Sequence, residues 1–256
     1  MITAYHRPKT LDEALTLLTQ PDTLPLGGGT LLSHPTTASV QVVDLQALGL
    51  NSLTKNGNAL ELGATLTLQA LLESEHCPAA LKTALKLEAP LNIRNSATVA
   101  GTLIACNGRS TFASVLLAMD AKVEIRELEI RDSKNRSLVQ SQVSNLGDFL
   151  PLRPRGLITS ITIPLNIKLA FEYVARTPAD KPIVCAALAQ WNSGRTRLVL
   201  GGYGKSPMLA MDGTEADGAE SAARNTYHEA TDEWASAEYR VDVASTLAKR
   251  CLEAIN

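Results

Sequence analysis

Aromatic side chains are scarce, at 4% of the 256 residues, so aliphatic side chains must fill any core. The 45% hydrophobic content is enough for one large domain or two modest ones. Paired cysteines are missing too. Cys77, Cys106, Cys185 and Cys251 include no C-x-x-C pair, which argues against iron–sulfur or structural zinc ligation. Their wide spacing fits reduced thiols and leaves a disulfide open. His6, His34, His76 and His228 lack metal-ligand spacing, so no metal site is expected. Neither sign of charge dominates: a net −2 and a pI near 6.1 exert no global pull on nucleic acid or an anionic membrane. No uncharged apolar run approaches the roughly 20 residues of a membrane helix. The opening residues from Met1 to Arg7 carry no signal-peptide apolar stretch. These absences point to a soluble cytoplasmic chain with no nucleic-acid partner and no membrane insertion.

Local signals then place the elements. Thr10 followed by Glu13 is a capping box opening a helix with Ala14, Leu15 and Leu18 on its apolar face. Val40 to Leu45 reads as a buried strand. Asn56-Gly57-Asn58 is a turn before a strand at 59–63. Thr67 caps a second helix, and Pro78 opens a third with Leu81, Ala84 and Leu85 inward. Ala113 to Met119 is a short apolar helix. Val123–Ile125 and Leu128–Ile130 read as paired strands, and Leu157–Ile163 as another. After Pro164 come strands over Leu169–Ala175, Val184–Trp191 and Arg197–Leu200, with a hairpin turn at Asn192-Ser193-Gly194. The polar stretch from Asp212 to Thr231 reads as a loop or a poorly packed helix, or a subunit-contact segment. Val241, Ala244, Leu247, Ala248, Cys251 and Ile255 recur at helical spacing. The change of pattern near Pro164 marks a domain boundary.

Two small-residue loops stand out, about seventy residues apart. The first reads Leu26-Gly27-Gly28-Gly29-Thr30. The second reads Thr98-Val99-Ala100-Gly101-Thr102, just after Ile93-Arg94-Asn95. Each offers backbone N–H groups with little side chain in the way. Such a pair can grip a pyrophosphate from both sides, as a dinucleotide such as FAD requires.

The order of these segments resembles the FAD-binding subunit of the molybdopterin dehydrogenases, or molybdenum hydroxylases, which include the flavin subunits of aerobic carbon monoxide dehydrogenase and bacterial xanthine dehydrogenase. Carrying the resemblance are Tyr5, Arg7, Pro8 and Thr10 to Ala14; Gly28-Gly29-Thr30; Val43-Asp44-Leu45; and Leu62-Gly63-Ala64. Its most specific segment is Ile93 to Gly101. Leu116 to Ala121, Gly201-Gly202 and Ser236 to Arg240 follow in order. The resemblance implies an α+β protein. A two-lobed FAD-binding domain of the vanillyl-alcohol-oxidase/PCMH type would span 1–165, with lobes of about 1–55 and 56–165, and a smaller α+β domain would span 166–256. It implies FAD contacts from Leu26, Gly27, Gly28, Gly29, Thr30 and Leu31 on one side. On the other it implies Arg94, Asn95, Thr98, Val99, Ala100, Gly101 and Thr102, with Arg109, Thr111 and Leu157 nearby. It implies no catalytic side chain here, because the cofactor carries the redox chemistry. Electrons would arrive from a [2Fe-2S] small subunit, fed by a molybdopterin-containing large subunit in a hetero-oligomer, and leave to NAD, a quinone or oxygen.

Some positions depart from that pattern. Leu31 stands where a polar residue is usual, and Ala100-Gly101-Thr102 replaces Gly-Gly-Asn. Thr111 replaces an aspartate, Glu172 and Tyr173 occupy the stretch of a usual lysine, and Gly156 replaces an acidic residue. Asn95 reads first as a residue that positions the second loop. Arg109 is open between a flavin contact and a solvated loop arginine. Two further readings stay open: a divergent assembly subunit without tight FAD binding, and a stand-alone flavoenzyme.

Overall fold

A computed structural model describes residues 1–33, 37–130 and 137–255; His34 lies outside them. The capping box forms: the Thr10 hydroxyl accepts the Glu13 N–H at 3.3 Å, and the Glu13 carboxylate reaches back to the Lys9 N–H at 3.0 Å. It opens α1 (Leu11–Leu18), which follows β1 (Ile2–His6). Next come β2 (Thr23–Leu26) and β3 (Val40–Asp44). These strands make a parallel sheet in the order β1-β3-β2. The first glycine loop therefore leaves the carboxyl end of β2, the end at which open parallel sheets hold ligands.

A hairpin of β4 (Leu53–Asn56) and β5 (Ala59–Gly63) leads to five helices. They are α2 (Leu68–Glu73), α3 (Ala79–Glu88), α4 (Leu91–Arg94), α5 (Val99–Ala105) and α6 (Thr111–Ala118). Hydroxyl caps start three of them: Thr67, Thr98 and Ser110 each accept an N–H three residues on. Then come β6 (Lys122–Ile130), β7 (Ser137–Asn145), α7 (Leu146–Leu152) and β8 (Leu157–Pro164). The second sheet runs β4-β5-β8-β6-β7. The two short strands expected at 123–125 and 128–130 are one strand, β6, whose neighbours are β7 and β8. Arg126-Glu127 contains no residue that enters a tight hairpin turn cheaply, so the chain runs straight through.

The remainder is β9 (Ile167–Val174), β10 (Val184–Trp191), β11 (Thr196–Gly201), β12 (Met208–Gly213), α8 (Ala219–Thr226) and α9 (Ala237–Ile255). Its antiparallel sheet, β12-β11-β10-β9, is covered on both faces. Along β10, Cys185, Ala187 and Ala189 join the core under α3 and α6, while Val184, Ala186 and Leu188 join the core under α8 and α9. Burial on both sides explains the unbroken apolar run. Part of the stretch expected as loop or loose helix is the well-packed α8. Ala219, Ala223 and Tyr227 are buried against α9, because alanine lets two helices approach closely.

Charged groups tie the last sheet to the α6–β6 turn. Arg195 forks onto Asp212 at 2.8 Å through both Nε and Nη2, and its Nη1 reaches Asp120 at 2.9 Å. Arg197 bridges the same two carboxylates at 3.0 and 2.9 Å. The hydrogen-bonded Arg195 guanidinium holds the Asp212 carboxyl below its ordinary 3.8, against the opposing effect of burial. A depressed pKa contributes stability that is full above the unfolded value and is lost as pH falls through the folded one. Urea midpoints should therefore stay level from neutral pH to about 5 and fall below about 4. Asp212→Asn should cost on the order of 1 kcal/mol at neutral pH and flatten part of the acid fall. An acid limb unchanged in that variant would assign the effect to other carboxylates.

Candidate functional site

The two glycine-rich loops touch. Gly28 packs so tightly that a Cβ there would lie 1.7 Å from the Ser96 carbonyl oxygen, and one on Gly27 would lie 2.9 Å from the Thr98 hydroxyl. The closeness of the loops, rather than flexibility, is what demands small residues.

Their donors are not equivalent. Among the described residues, no acceptor sits on the backbone N–H of Gly27, Gly28, Gly29, Thr30 or Leu31. In the second loop the Val99 N–H binds the Leu66 carbonyl at 2.9 Å, Ala100 that of Ala64 at 3.2 Å, and Thr102 that of Thr98 at 2.9 Å. The Gly101 N–H goes to the Thr98 hydroxyl at 3.2 Å. The expectation of N–H donors from both sides is thus corrected. Thr98 caps α5, so the amides after it are committed to the helix turn and to the carbonyls of the 64–66 segment. What the second loop still offers is the Thr98 O–H, whose hydrogen is not used by accepting from Gly101.

A cleft of about 330 Å³ opens beside the loops, walled by Gly27 to Leu31, Thr98, Ala100, Gly101 and, opposite, Leu45, Leu157 and Ile158. Thr30, Leu31 and Gly101 also border a second cleft of about 320 Å³, with Thr102, Glu88, Asn107 and Lys181. Both volumes lie within the ~300–1,000 Å³ typical of cofactor sites. Free amides at the junction, a cradle with no room for a Cβ, and clefts on either side fit an extended dinucleotide.

Several expected site residues lie elsewhere. Leu26 sits behind the loop, its carbonyl taking the Leu45 N–H at 3.1 Å, and Val99 is buried in the core. Arg94 turns away to the Ala89 carbonyl at 2.7 Å and Gln69 at 2.9 Å, closing the end of α3. Asn95 is exposed outside both clefts and caps α4 through its backbone. Arg109 binds the carbonyls of Lys181 at 2.6 Å and Pro182 at 3.2 Å, and stacks on Trp234. Burial lowers its pKa, and the neighbouring Arg176 and Arg240 add to that. Thr111 is wholly buried; its hydroxyl binds the Ala84 carbonyl at 2.7 Å. None of these six residues lines either cleft, and Arg94, Arg109 and Thr111 are engaged by other protein groups. Gly156 has φ +122, a conformation an acidic residue adopts only with strain, and a Cβ there would meet Ile125 at 2.6 Å.

Other residues enter unannounced. Lys181 follows β9 and returns to the cleft, while Glu172 shares a strand face with Ala170, which packs in the α9 core. Glu88 falls one heptad after Leu81, on the apolar face of α3. That position was a signal: a carboxylate at an inward site must have partners. Arg153 binds the carbonyls of Ile104 at 2.9 Å and Cys106 at 2.5 Å, closing the C-terminal end of α5.

All four cysteines are free and buried. Burial pushes the Cys77, Cys185 and Cys251 thiols up to about 12 and Cys106 to about 11. At pH ~8 the thiolate fraction is then on the order of 0.1% or less, so Ellman's reagent should find no fast thiol in the folded protein and four in guanidinium. A single fast thiol would show that Cys106, beside the cleft, is open.

Fold and site together define an α+β protein in which two small-residue loops meet between two clefts. Residues 1–166 match the model of the FAD binding domain in molybdopterin dehydrogenase, and the chain belongs to that family; FAD is its cofactor. It is 26% identical to an uncharacterized Escherichia coli K12 protein, YgfM, over 96% of this chain and 94% of that one. It is also 26% identical to the carbon monoxide dehydrogenase medium chain of Afipia carboxidovorans, over 97% of this chain and 95% of that one. Among solved structures, the Cu,Mo-CO dehydrogenase has a chain that superposes with a TM-score of 0.79 at 24% identity, covering 100% of this chain and 98% of that one. Quinoline 2-oxidoreductase from Pseudomonas putida 86 has one with a TM-score of 0.77 at 19% identity, covering 98% and 96%. At these identities the superpositions speak for the fold.

Proposed function

We propose that this chain is the FAD-binding electron-transfer subunit of a multi-subunit molybdenum hydroxylase of the carbon monoxide dehydrogenase type. It would take electrons from [2Fe-2S] clusters on a small partner and pass them to an external acceptor. A molybdopterin-containing large subunit would oxidise the substrate, and the assembly would work in the cytoplasm. The observation that carries this reading is the row of free amides from Gly27 to Leu31, pressed against the second loop. When bound, FAD supplies two-electron redox chemistry, its ring gaining one proton and one negative charge. The protein's part is to bind, orient and exclude water.

In this reading residues 1–165 hold the cofactor, with lobes of about 1–55 and 56–165, and residues 166–256 close on it. The amides of Gly27 to Leu31 and the Thr98 hydroxyl bind the pyrophosphate. Gly101 and Ala100 keep the passage between the clefts open. Leu157 packs against one half of the cofactor, and Thr102 borders the other.

Affinity purification of the tagged chain from its own cells tests this. The expected result is about one FAD per chain, with iron and molybdenum in two co-purifying subunits. FAD without such partners would make it a stand-alone flavoprotein. Assembly with both partners but no flavin would make it a structural subunit.

A further inference from the structure

We propose that Lys181, anchored by Glu88, contacts the ring of the bound flavin and favours its reduced form. The proposal rests on the FAD reading of the cleft. Glu88 ends α3 with its side chain only 6% exposed. Its Oε2 accepts from the Ser110 hydroxyl at 2.8 Å and the Phe112 N–H at 3.0 Å, with the Thr111 hydroxyl oxygen 3.3 Å away. Its Oε1 accepts from Lys181 Nζ at 2.9 Å. This buried carboxylate is held on Oε2 by groups of the α6 N-terminus and on Oε1 by the lysine. It is an anchor for the ammonium.

Lys181 is placed differently. Its side chain is 42% exposed and borders the cleft with Asn107 and Thr102. An ammonium has three donors, and Glu88 uses one. Arg109 grips the backbone on which it stands, through the carbonyls of Lys181 and Pro182. Arg109 is thus a positioning residue that acts through Lys181. Among the described residues that wall the two clefts, Lys181 is the one cation.

The free amides of Gly27 to Leu31 already answer the pyrophosphate. Lys181 faces the other half of the site, beyond Thr30 and Leu31. A fixed ammonium with donors to spare suits ring carbonyl oxygens, which carry the negative charge that reduction adds. Two electrons and one proton enter; the ammonium keeps its own protons and offsets the added charge.

The test uses the FAD-loaded full chain, reduced with dithionite against a reference dye. The dissociation constant of oxidised FAD is measured alongside by fluorescence quenching. Lys181→Gln should weaken reduced FAD at least tenfold more than oxidised FAD, a fall in midpoint potential of about 30 mV for a two-electron couple. Lys181→Arg should keep the ratio within about threefold of the parent, a shift of about 15 mV. An unchanged potential in Lys181→Gln overturns the proposal. If the affinity for oxidised FAD then drops, Lys181 serves the phosphate or adenosine half; if nothing changes, it only neutralises Glu88. An unmutated chain that retains no FAD would instead overturn the FAD reading itself.

Discussion

Gly28→Ala should weaken FAD binding at least ~100-fold, about 2.7 kcal/mol. The added carbon would lie 1.7 Å from a backbone carbonyl oxygen, that of Ser96, so no rotamer change relieves the contact. The second loop is the stiffer partner. The Ser96 and Ala97 amides bind the Ile93 carbonyl at 3.0 and 2.7 Å, and Thr98 bridges to Thr67. The first loop must therefore move, and its free amides move with it. Gly101→Ala makes a useful contrast. There the clash, at 2.8 Å, is with the Thr98 hydroxyl, which can rotate, so a smaller loss is expected. Titration of the purified variants with FAD, with circular dichroism as a fold control, checks both. A Gly28→Ala chain that is folded and binds FAD like its parent would remove the first loop from the binding site.

Arg240→Ala should cost about 3 kcal/mol of unfolding free energy, the lower end of the ~3–5 typical for breaking a buried pair. Arg240 is fully buried in α9. Its Nη2 binds Asp232 at 2.7 Å, and its Nη1 binds the carbonyls of Ala230 at 2.6 Å and Ala235 at 3.0 Å. The guanidinium lies 5.1 Å from the Tyr203 ring centroid. Truncation takes the donor from the Ala230 carbonyl and the countercharge from Asp232, while the Ala235 carbonyl keeps the Asp232 N–H at 3.1 Å. The lower end applies because the Asp232 side chain is 27% exposed and regains some water. Asp232 also accepts the amides of Trp234 and Ala235, so the loop that carries Trp234 should loosen with it. Urea unfolding measures the loss, and a red shift of tryptophan emission reports the loop. A loss under ~1 kcal/mol would mean that water replaces the guanidinium, and that the cluster shapes the loop without stabilising the fold.

Much of this was legible from local chemistry. The capping box at Thr10, the turn at Gly57 and the spacing from Val241 to Ile255 rest on neighbours in the chain, and each element formed where those neighbours placed it. The presence of two small-residue loops was legible as well, from their composition. The assignment of individual side chains was not. Thr111 stood at the right distance along the chain for a cofactor contact, yet it packs under Glu88, a residue from another helix. Arg109 had the right charge, yet its partners are carbonyls on the β9–β10 connection.

The sequence by itself determined many of the helices and strands and the two small-residue loops. Those depend on backbone propensity and on spacing of a few residues. Only the tertiary structure decided which amides stay free, which cation reaches the cleft and which carboxylate holds it. Each of those is a competition for partners between segments far apart in the chain. The Glu88–Lys181 pair joins positions 93 residues apart, and nothing in either neighbourhood encodes the other.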